Sequence, residues 1–412
     1  MAELTQTGPG PRSGGVRPEP VLKRHELSNG VTGFLFGLTG PLAVLITMGQ
    51  ASGLSESEIA SWIFGSYLGT GVLTGFFCWK YRKPLSLAWT IPGAMLLPAA
   101  MESISFVEAI GAYWATGILI TLLGWSGLVT RIMARIPMPI VMGMVAGVFL
   151  PLGVRVVTAF TEQAWVAFAS LAGFVLFSAV GSLRRLIPPV LIALAAGWAV
   201  AWYTGAFAPR MAGTDLLVRP NLYMPAFSWQ AMFELVIPLT ITVLGIQNAQ
   251  GIAVLKNAGH EPPIKSITVG SGLGTLFYAL VGSVPACLTG PTNAILTSSG
   301  ELHRQWRAGV LMSVLMVIFA IFAPAATTLA LALPIALMGL VGGLAMIPAL
   351  QGAFLAAFRG HCPLGALVAF VVAVAGVPIL KVGAPFWALL FGLLASWLLE
   401  RDSLRHTLRR GA

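Results

Sequence analysis

The sequence predicts an all-α, polytopic membrane protein of fourteen segments arranged as two inverted halves. Three observations predict it. First, 57% of the 412 residues are apolar and only 9% are charged, with mean hydropathy +0.86; a soluble globular chain carries roughly 25% charged residues. So little polar surface excludes a soluble enzyme or a nucleic-acid binder, although a net charge of +10 alone would suggest the latter. Second, the basic residues are distributed unevenly between the two sides that the segments define. Third, three motifs recur in the same order in the two halves.

In chain order, residues 1–26 run through Gly-Pro-Gly-Pro and Arg-Pro-Glu-Pro with no apolar core, which predicts a disordered cytoplasmic tail. It is not a cleavable signal peptide, so the first span acts as the targeting signal. A spanning helix needs about 20 mostly apolar residues. Such runs lie at 31–50, 58–79, 85–101, 106–130, 138–158, 164–181 and 187–206, a first repeat within 27–206. After an extracytoplasmic linker at 207–232 come 233–255, 264–284, 288–300, 306–327, 333–356, 363–380 and 384–400, a second repeat within 233–400. Residues 401–412 form a basic cytoplasmic tail. Segments 3 and 10 are short and interrupted by Pro and Gly. No Lys or Arg falls mid-segment, and the 14 Asp and Glu lie in tails, loops or span ends, Glu108 deepest among them. Cys78, Cys287 and Cys362 match no metal spacing, and their odd number argues against a disulfide framework.

With the N-terminus inside, twenty of the 24 Lys and Arg fall on the inner side and only Arg155, Arg210, Arg219 and Lys381 on the outer. Adding or losing one helix would invert every later loop and blur that split. The expectation is therefore a multi-pass inner (plasma) membrane protein with both termini cytoplasmic.

The repeat is seen in Gly65-Ser66-Tyr67-Leu68-Gly69-Thr70 against Gly270-Ser271-Gly272-Leu273-Gly274-Thr275, offset 205. Thr90-Ile91-Pro92 matches Thr289-Gly290-Pro291, offset 199, and Pro139-Ile140 matches Pro334-Ile335, offset 195. Seven segments per copy is odd, so the second copy enters from the opposite face. Inverted repeats of this kind are characteristic of secondary transporters, where interrupted segments at matching positions mark the binding site.

That places the candidate site at segments 3 and 10. Each has an extended approach, a threonine suited to cap a helix (Thr90, Thr289), and a proline in the first turn (Pro92, Pro291), where a missing N–H costs nothing. Inversion points the two half-helix N-termini at each other, each with several unpaired N–H groups and partial positive charge, an anion site without Lys or Arg. Thr292 and Asn293 add side-chain contacts, and Trp89 offers a ring surface or simple packing. In segment 8, Gln247, Gln250 and Gly251 fall at i, i+3, i+4 on one helical face, with Asn248 adjacent. Buried amides face protein, water or substrate, so these either meet ligand or cross-link helices. Gly40-Pro41 in segment 1 lines the opposite wall or kinks its helix. Phe386 and Trp387 read as an interfacial aromatic belt.

At these residues the chain resembles the benzoate:proton symporter family, through SLAWTIPGAMLL at 86–97, PLTITVLGIQNAQGIAVLKNAG at 238–259 and PACLTGPTNAIL at 285–296. That family is related to nucleobase–cation symporters and sulfate-type anion transporters. The resemblance implies core and gate domains, short β-strands preceding the half-helices of segments 3 and 10, and substrate held between those half-helices with contacts to segments 1 and 8. The implied substrate-binding set is Gly40, Pro41, Trp89, Thr90, Ile91, Pro92, Gln247, Asn248, Gln250, Leu288, Thr289, Gly290, Pro291, Thr292 and Asn293.

The resulting expectation is a secondary active importer of benzoate or a similar aromatic carboxylate. The alternatives are a carrier of another anion or a nucleobase, or a passive anion facilitator or channel. The expected partners are the lipid bilayer and a small aromatic carboxylate, with the proton implied by the resemblance and a homodimer admitted. Segment 8 has Gln247-Asn248 where related nucleobase symporters use a carboxylate, so the proton travels on the substrate or on a peripheral Glu. No nucleic acid, cofactor or metal is expected. With no catalytic dyad, metal cluster or nucleotide loop at membrane depth, the chain is not expected to be an enzyme.

Overall fold

The computed structural model describes residues 22–38, 40–129, 137–180, 189–207, 217–377, 379 and 384–404. The first half contains α1 (Arg24–Leu38), α2 (Gly40–Ala51), α3 (Glu56–Tyr81), β1 (Leu87–Trp89), α4 (Ile91–Ala100), α5 (Phe106–Ser126), α6 (Met138–Glu162), α7 (Ala164–Ala179) and α8 (Pro189–Tyr203). The second contains α9 (Trp229–Asn257), α10 (Ile264–Ala279), β2 (Ala286–Leu288), α11 (Gly290–Leu296), α12 (Trp306–Ile321), α13 (Ala323–Leu331), α14 (Ile335–Phe358), α15 (Pro363–Ala375) and α16 (Ala384–Leu399).

Each predicted segment has a counterpart, but the lengths differ. Among the described residues, five helices are long and apolar enough to cross a membrane by themselves: Arg24–Ala51, α5, α6, α9 and α14, with the bent pair α12–α13 a sixth. Segments 3 and 10 appear as a strand followed by a helix of 10 and 7 residues, respectively. Three differences from the sequence reading have physical causes. The first helix starts at Arg24, inside the stretch read as tail, because Glu26 and Arg304 bury a shared ion pair there (Nε–Oε1 2.6 Å). Segment 11 ends at Ile321, and α13 turns away by 69°. Pro324 at the start of α13 has no N–H for a continued helix, and its ring would strike the carbonyl four residues back. Within α9 the turns widen to π-helix over Met232–Val236 and Thr242–Asn248. Two caps went unread in the sequence: Ser55–Glu58 and Ser105–Glu108 form capping boxes, so Glu108, read from the sequence as the deepest acidic residue, is spent on a helix end, whereas Glu26 and Glu234 are the buried ones among the described residues.

Packing sorts the helices into two groups. A core domain joins α1–α5 with α9–α13; α3 lies on α12, α10 on α5, and α1 on α12. A gate domain joins α6–α8 with α14–α16; α14 and α15 both pack on α6. Within the core, α3 and α10 run close together. A Cβ at Gly69 would lie 1.8 Å from the Tyr278 ring, and one at Gly270 would lie 2.3 Å from the Phe77 ring. Glycine is required at both positions because each receives the other helix's aromatic side chain.

Candidate functional site

β1 and β2 pair antiparallel, Leu87 with Leu288, Ala88 with Cys287 and Trp89 with Ala286. At offset 199 these are the same positions of the two repeats, so a two-fold axis passes between Ala88 and Cys287. The flanking bonds obey it: Thr90 N donates to Pro285 O (2.9 Å) and Thr289 N to Ser86 O (3.0 Å). Threonines of the neighbouring helices take one N–H from each strand, Thr74 from Leu87 (3.1 Å) and Thr275 from Ala286 (3.0 Å). That pairing corrects the sequence alignment of these helices by one turn: the partner of Thr275 at the strand is Thr74, not Thr70. Glycine-rich helices align almost as well one turn away, and only the strand contact separates the registers.

Thr90 and Thr289 are the caps predicted. Thr90 Oγ1 accepts from Gly93 N and Thr289 Oγ1 from Thr292 N, both at 3.2 Å. Pro92 and Pro291 have no N–H, so each first turn keeps one N–H, that of Ile91 or Gly290, for which no acceptor is found among the described residues. The sequence reading expected several at each end; the capping hydroxyls and the prolines leave one.

A cavity of about 630 Å³ lies against these strand–helix units, within the 300–1,000 Å³ typical of small-molecule sites. Nine of the predicted residues line it: Pro41, Trp89, Ile91, Pro92, Gln247, Gln250, Thr289, Pro291 and Thr292. Six do not: Gly40, Thr90, Asn248, Leu288, Gly290 and Asn293. The causes are local. Asn248 Oδ1 accepts from Leu288 N (2.7 Å), and its Nδ2 donates to Ser271 Oγ (3.3 Å). Asn293 Oδ1 accepts from Ser86 N (2.8 Å), while its Nδ2 donates to Thr289 O (2.6 Å). Both amides therefore hold the strands rather than face the cavity. Leu288 packs on Gly251, where a Cβ would lie 2.6 Å from its side chain, so Gly251 also faces β2 and leaves the face predicted for it. Gly290 makes room for the Gln250 side chain, Thr90 is spent on its cap, and Gly40 lets α2 approach Ala345 of α14.

Gln247 and Gln250 differ from Asn248. Neither side chain has a hydrogen-bond partner among the described residues, and Gln250 is exposed to the cavity. An amide offers both a donor and an acceptor. Ser86, which the sequence reading passed over, also lines the cavity, and its buried hydroxyl has no hydrogen-bond partner among the described residues. The facing wall is apolar and soft: Met138, Met142 and Phe149 of α6 and Met346 of α14, with Met312 and Met316 of α12 alongside. Methionines in apolar helices read as ordinary core, so nothing in the sequence singled them out. Among the described residues, none that lines the cavity is charged. The cavity thus has a neutral polar side, provided by the core domain, and an apolar side provided largely by the gate.

The family model described as "Benzoate membrane transport protein" matches residues 21–398. Among related proteins, "Inner membrane protein YdcO" of Escherichia coli is 29% identical over 380 residues, covering 88% of this chain and 93% of that protein. "Benzoate membrane transport protein" of Acinetobacter baylyi is 28% identical over 383 residues, covering 90% and 95%. Among solved structures, the transmembrane domain of the cyanobacterial bicarbonate transporter BicA superposes with TM-score 0.60 at 15% identity, covering 90% of this chain and 97% of that one. SLC26A9 superposes with TM-score 0.62 at 14% identity, covering 91% and 64%. These structures share the inverted-repeat membrane fold with this chain.

Proposed function

Because the chain belongs to the benzoate membrane transport protein family, we propose that it imports benzoate or a closely similar aromatic carboxylate across the inner membrane, as a secondary active transporter working by alternating access. The family is one of membrane transporters, and the chain is not an enzyme. One observation carries the choice of ligand: the cavity opposes neutral hydrogen-bonding groups on the core side to a methionine-rich wall on the gate side. A carboxylate on an aromatic ring has that same division. In this reading Gln247, Gln250, Ser86 and the N–H of Ile91 meet the carboxyl oxygens, and Trp89, Pro41, Met142 and Met346 take the ring. Pro92, Thr289, Pro291 and Thr292 shape the floor.

The proposed topology has fourteen segments with both termini inside, supported by the basic-residue bias. The cavity reaches Met138 at the start of α6 and Ala356 near the end of α14, both next to the arginines assigned to the cytoplasmic side. This supports an inward-facing state. Proton coupling is part of the proposal. With no carboxylate or histidine among the described residues of the cavity wall, the proton travels on the substrate's own carboxyl, and an amide can hydrogen-bond that group in either protonation state.

Uptake of labelled benzoate into proteoliposomes, with and without an imposed pH gradient, tests this. The expected result is accumulation above the external concentration, driven by the gradient and collapsed by an uncoupler. Equilibration without accumulation would make the chain a facilitator. Competition by uracil or sulfate equal to that by unlabelled benzoate would overturn the substrate.

A further inference from the structure

The main cavity is larger than an unsubstituted aromatic carboxylate needs. An apolar cavity of roughly 150 Å³ is enough to hold a benzene ring, and this one measures about 630 Å³. Beyond the ring contacts already named, it is lined by Gly37 of α1, Tyr67 and Thr70 of α3, and Met312 and Met316 of α12. All five belong to the core domain, apart from the methionines that the gate supplies.

This end combines a fixed side with an adjustable one. Tyr67 is 1% exposed; its hydroxyl donates to Gly37 O, and its ring lies edge-on to Phe319 with centroids 4.8 Å apart. Thr70 Oγ1 donates to Ser66 O (2.6 Å). Both hydroxyl protons are committed to backbone carbonyls, so these two residues suit an apolar group and not a second carboxylate. Met312 and Met316 lie one turn apart on α12, and their ends rest on two glycines one turn apart on α1. A Cβ on Gly33 would stand 2.8 Å from Met312 Sδ, and one on Gly37 would stand 2.5 Å from Met316 Cε. Glycine at position 37 therefore gives the Met316 methyl a seat against α1. Because methionine is unbranched and turns about three bonds, that methyl yields to an entering group where a branched side chain would not.

We propose that this end of the cavity is a specificity pocket for an apolar substituent on the ring, so that the substrates include ring-substituted benzoates such as 4-methylbenzoate, with Gly37 and Met316 setting the size accepted. The inference rests on reading the cavity as an aromatic-carboxylate site. With the carboxyl held on the polar side, the 4-position is the part of the ring farthest from those contacts and free to carry a group into the pocket.

Calorimetric titration of the full-length protein in detergent with benzoate, 4-methylbenzoate and 4-tert-butylbenzoate tests this, with melting curves as the check on folding. The quantity read is the affinity of each substituted acid relative to that of benzoate. Wild type should bind 4-methylbenzoate within threefold of benzoate. Gly37→Ala unseats the Met316 methyl and narrows the pocket; it should lower the relative affinity for 4-methylbenzoate at least tenfold, since one methylene in an apolar pocket is worth about 10- to 200-fold in discrimination. Met316→Ala should raise the relative affinity for 4-tert-butylbenzoate at least tenfold, and it decides the matter if Gly37→Ala does not fold. Unchanged relative affinities in the folded variants, or a wild type that binds benzoate and excludes 4-methylbenzoate, would overturn the pocket and leave the benzoate reading standing. Binding of none of the three acids by the wild type would overturn that reading and the pocket with it.

Discussion

Asn248 and Gln250 are two amides on one helix, and the structure gives them separable roles. Asn248 is 2% exposed, and its Oδ1 accepts the N–H of fully buried Leu288 at 2.7 Å. Replacing it by Ala leaves that N–H with no water to take the place of the acceptor, at a cost of about 1–3 kcal/mol, and removes the bond to Ser271 for about 1 kcal/mol more. Gln250 has no bond to another described residue to lose and is exposed to the cavity. Its replacement by Ala should change stability by no more than about 0.5 kcal/mol. If Gln250 donates to the substrate carboxylate, however, the lost charge-assisted bond is worth about 1.5–3 kcal/mol, which is roughly 10- to 150-fold in dissociation constant. Calorimetric titration with benzoate and thermal melting in the same detergent separate the two effects. Asn248→Ala should melt several degrees lower; Gln250→Ala should melt like the wild type and bind weakly. A Gln250→Ala protein with wild-type affinity, or an Asn248→Ala protein with wild-type stability and weak binding, would reverse the assignment.

Two further substitutions test other parts of the frame. Asn293→Asp puts a carboxylate oxygen where Nδ2 now donates to Thr289 O at 2.6 Å; it should lower the melting temperature markedly as well as weaken benzoate binding, and a normal melt would show that the strand pair tolerates the charge. Glu26→Gln removes the carboxylate of the buried pair with Arg304 and should destabilise by about 3 kcal/mol; Glu26→Leu with Arg304→Met should recover much of that loss in the same melting assay.

Much of this frame could be read from the chain because it rests on local patterns. Thr-x-Pro after an extended stretch marks a capped half-helix wherever it occurs, and its two appearances at offset 199 fall on the strand pair. Gln247 and Gln250 were legible as deep amides, since polar groups at that depth are rare in so apolar a chain. What helical spacing could not decide was which amide faces the cavity. An ideal helix puts Gly251 with Gln247, but the π turn over Thr242–Asn248 changes the rotation, so Gly251 meets Leu288 and Asn248 reaches its N–H. Nor could spacing show Asn293 as a strand clamp, because its partner Ser86 lies 207 residues away. The ion pair of Glu26 with Arg304 was illegible for the same reason: each residue alone looks like part of a charged loop or tail.

The boundary between core and gate says how one could move against the other. No hydrogen bond or ion pair found among the described residues joins the two groups of helices; the contact of α2 with α14 is made by small side chains. A Cβ on Gly40 would stand 2.2 Å from Ala345 Cβ, and one on Gly342 would stand 3.9 Å from Ala43 Cβ. A smooth apolar contact can part without stranding polar groups, so sliding there costs mainly surface exposure. Under alternating access this contact closes the side of the site opposite the cavity's cytoplasmic reach, and it has to open once per cycle. The 3.9 Å separation lies within the 3.5–4.5 Å Cβ–Cβ range of disulfides. An Ala43→Cys/Gly342→Cys pair should therefore cross-link under mild oxidation, whereas the native Cys78, Cys287 and Cys362 are buried. Oxidised protein should retain benzoate binding from the cytoplasmic side, lose uptake at least tenfold, and regain it on reduction. Full uptake by quantitatively cross-linked protein would show that α2 and α14 never separate, and the closing contact would have to be sought on another pair of helices.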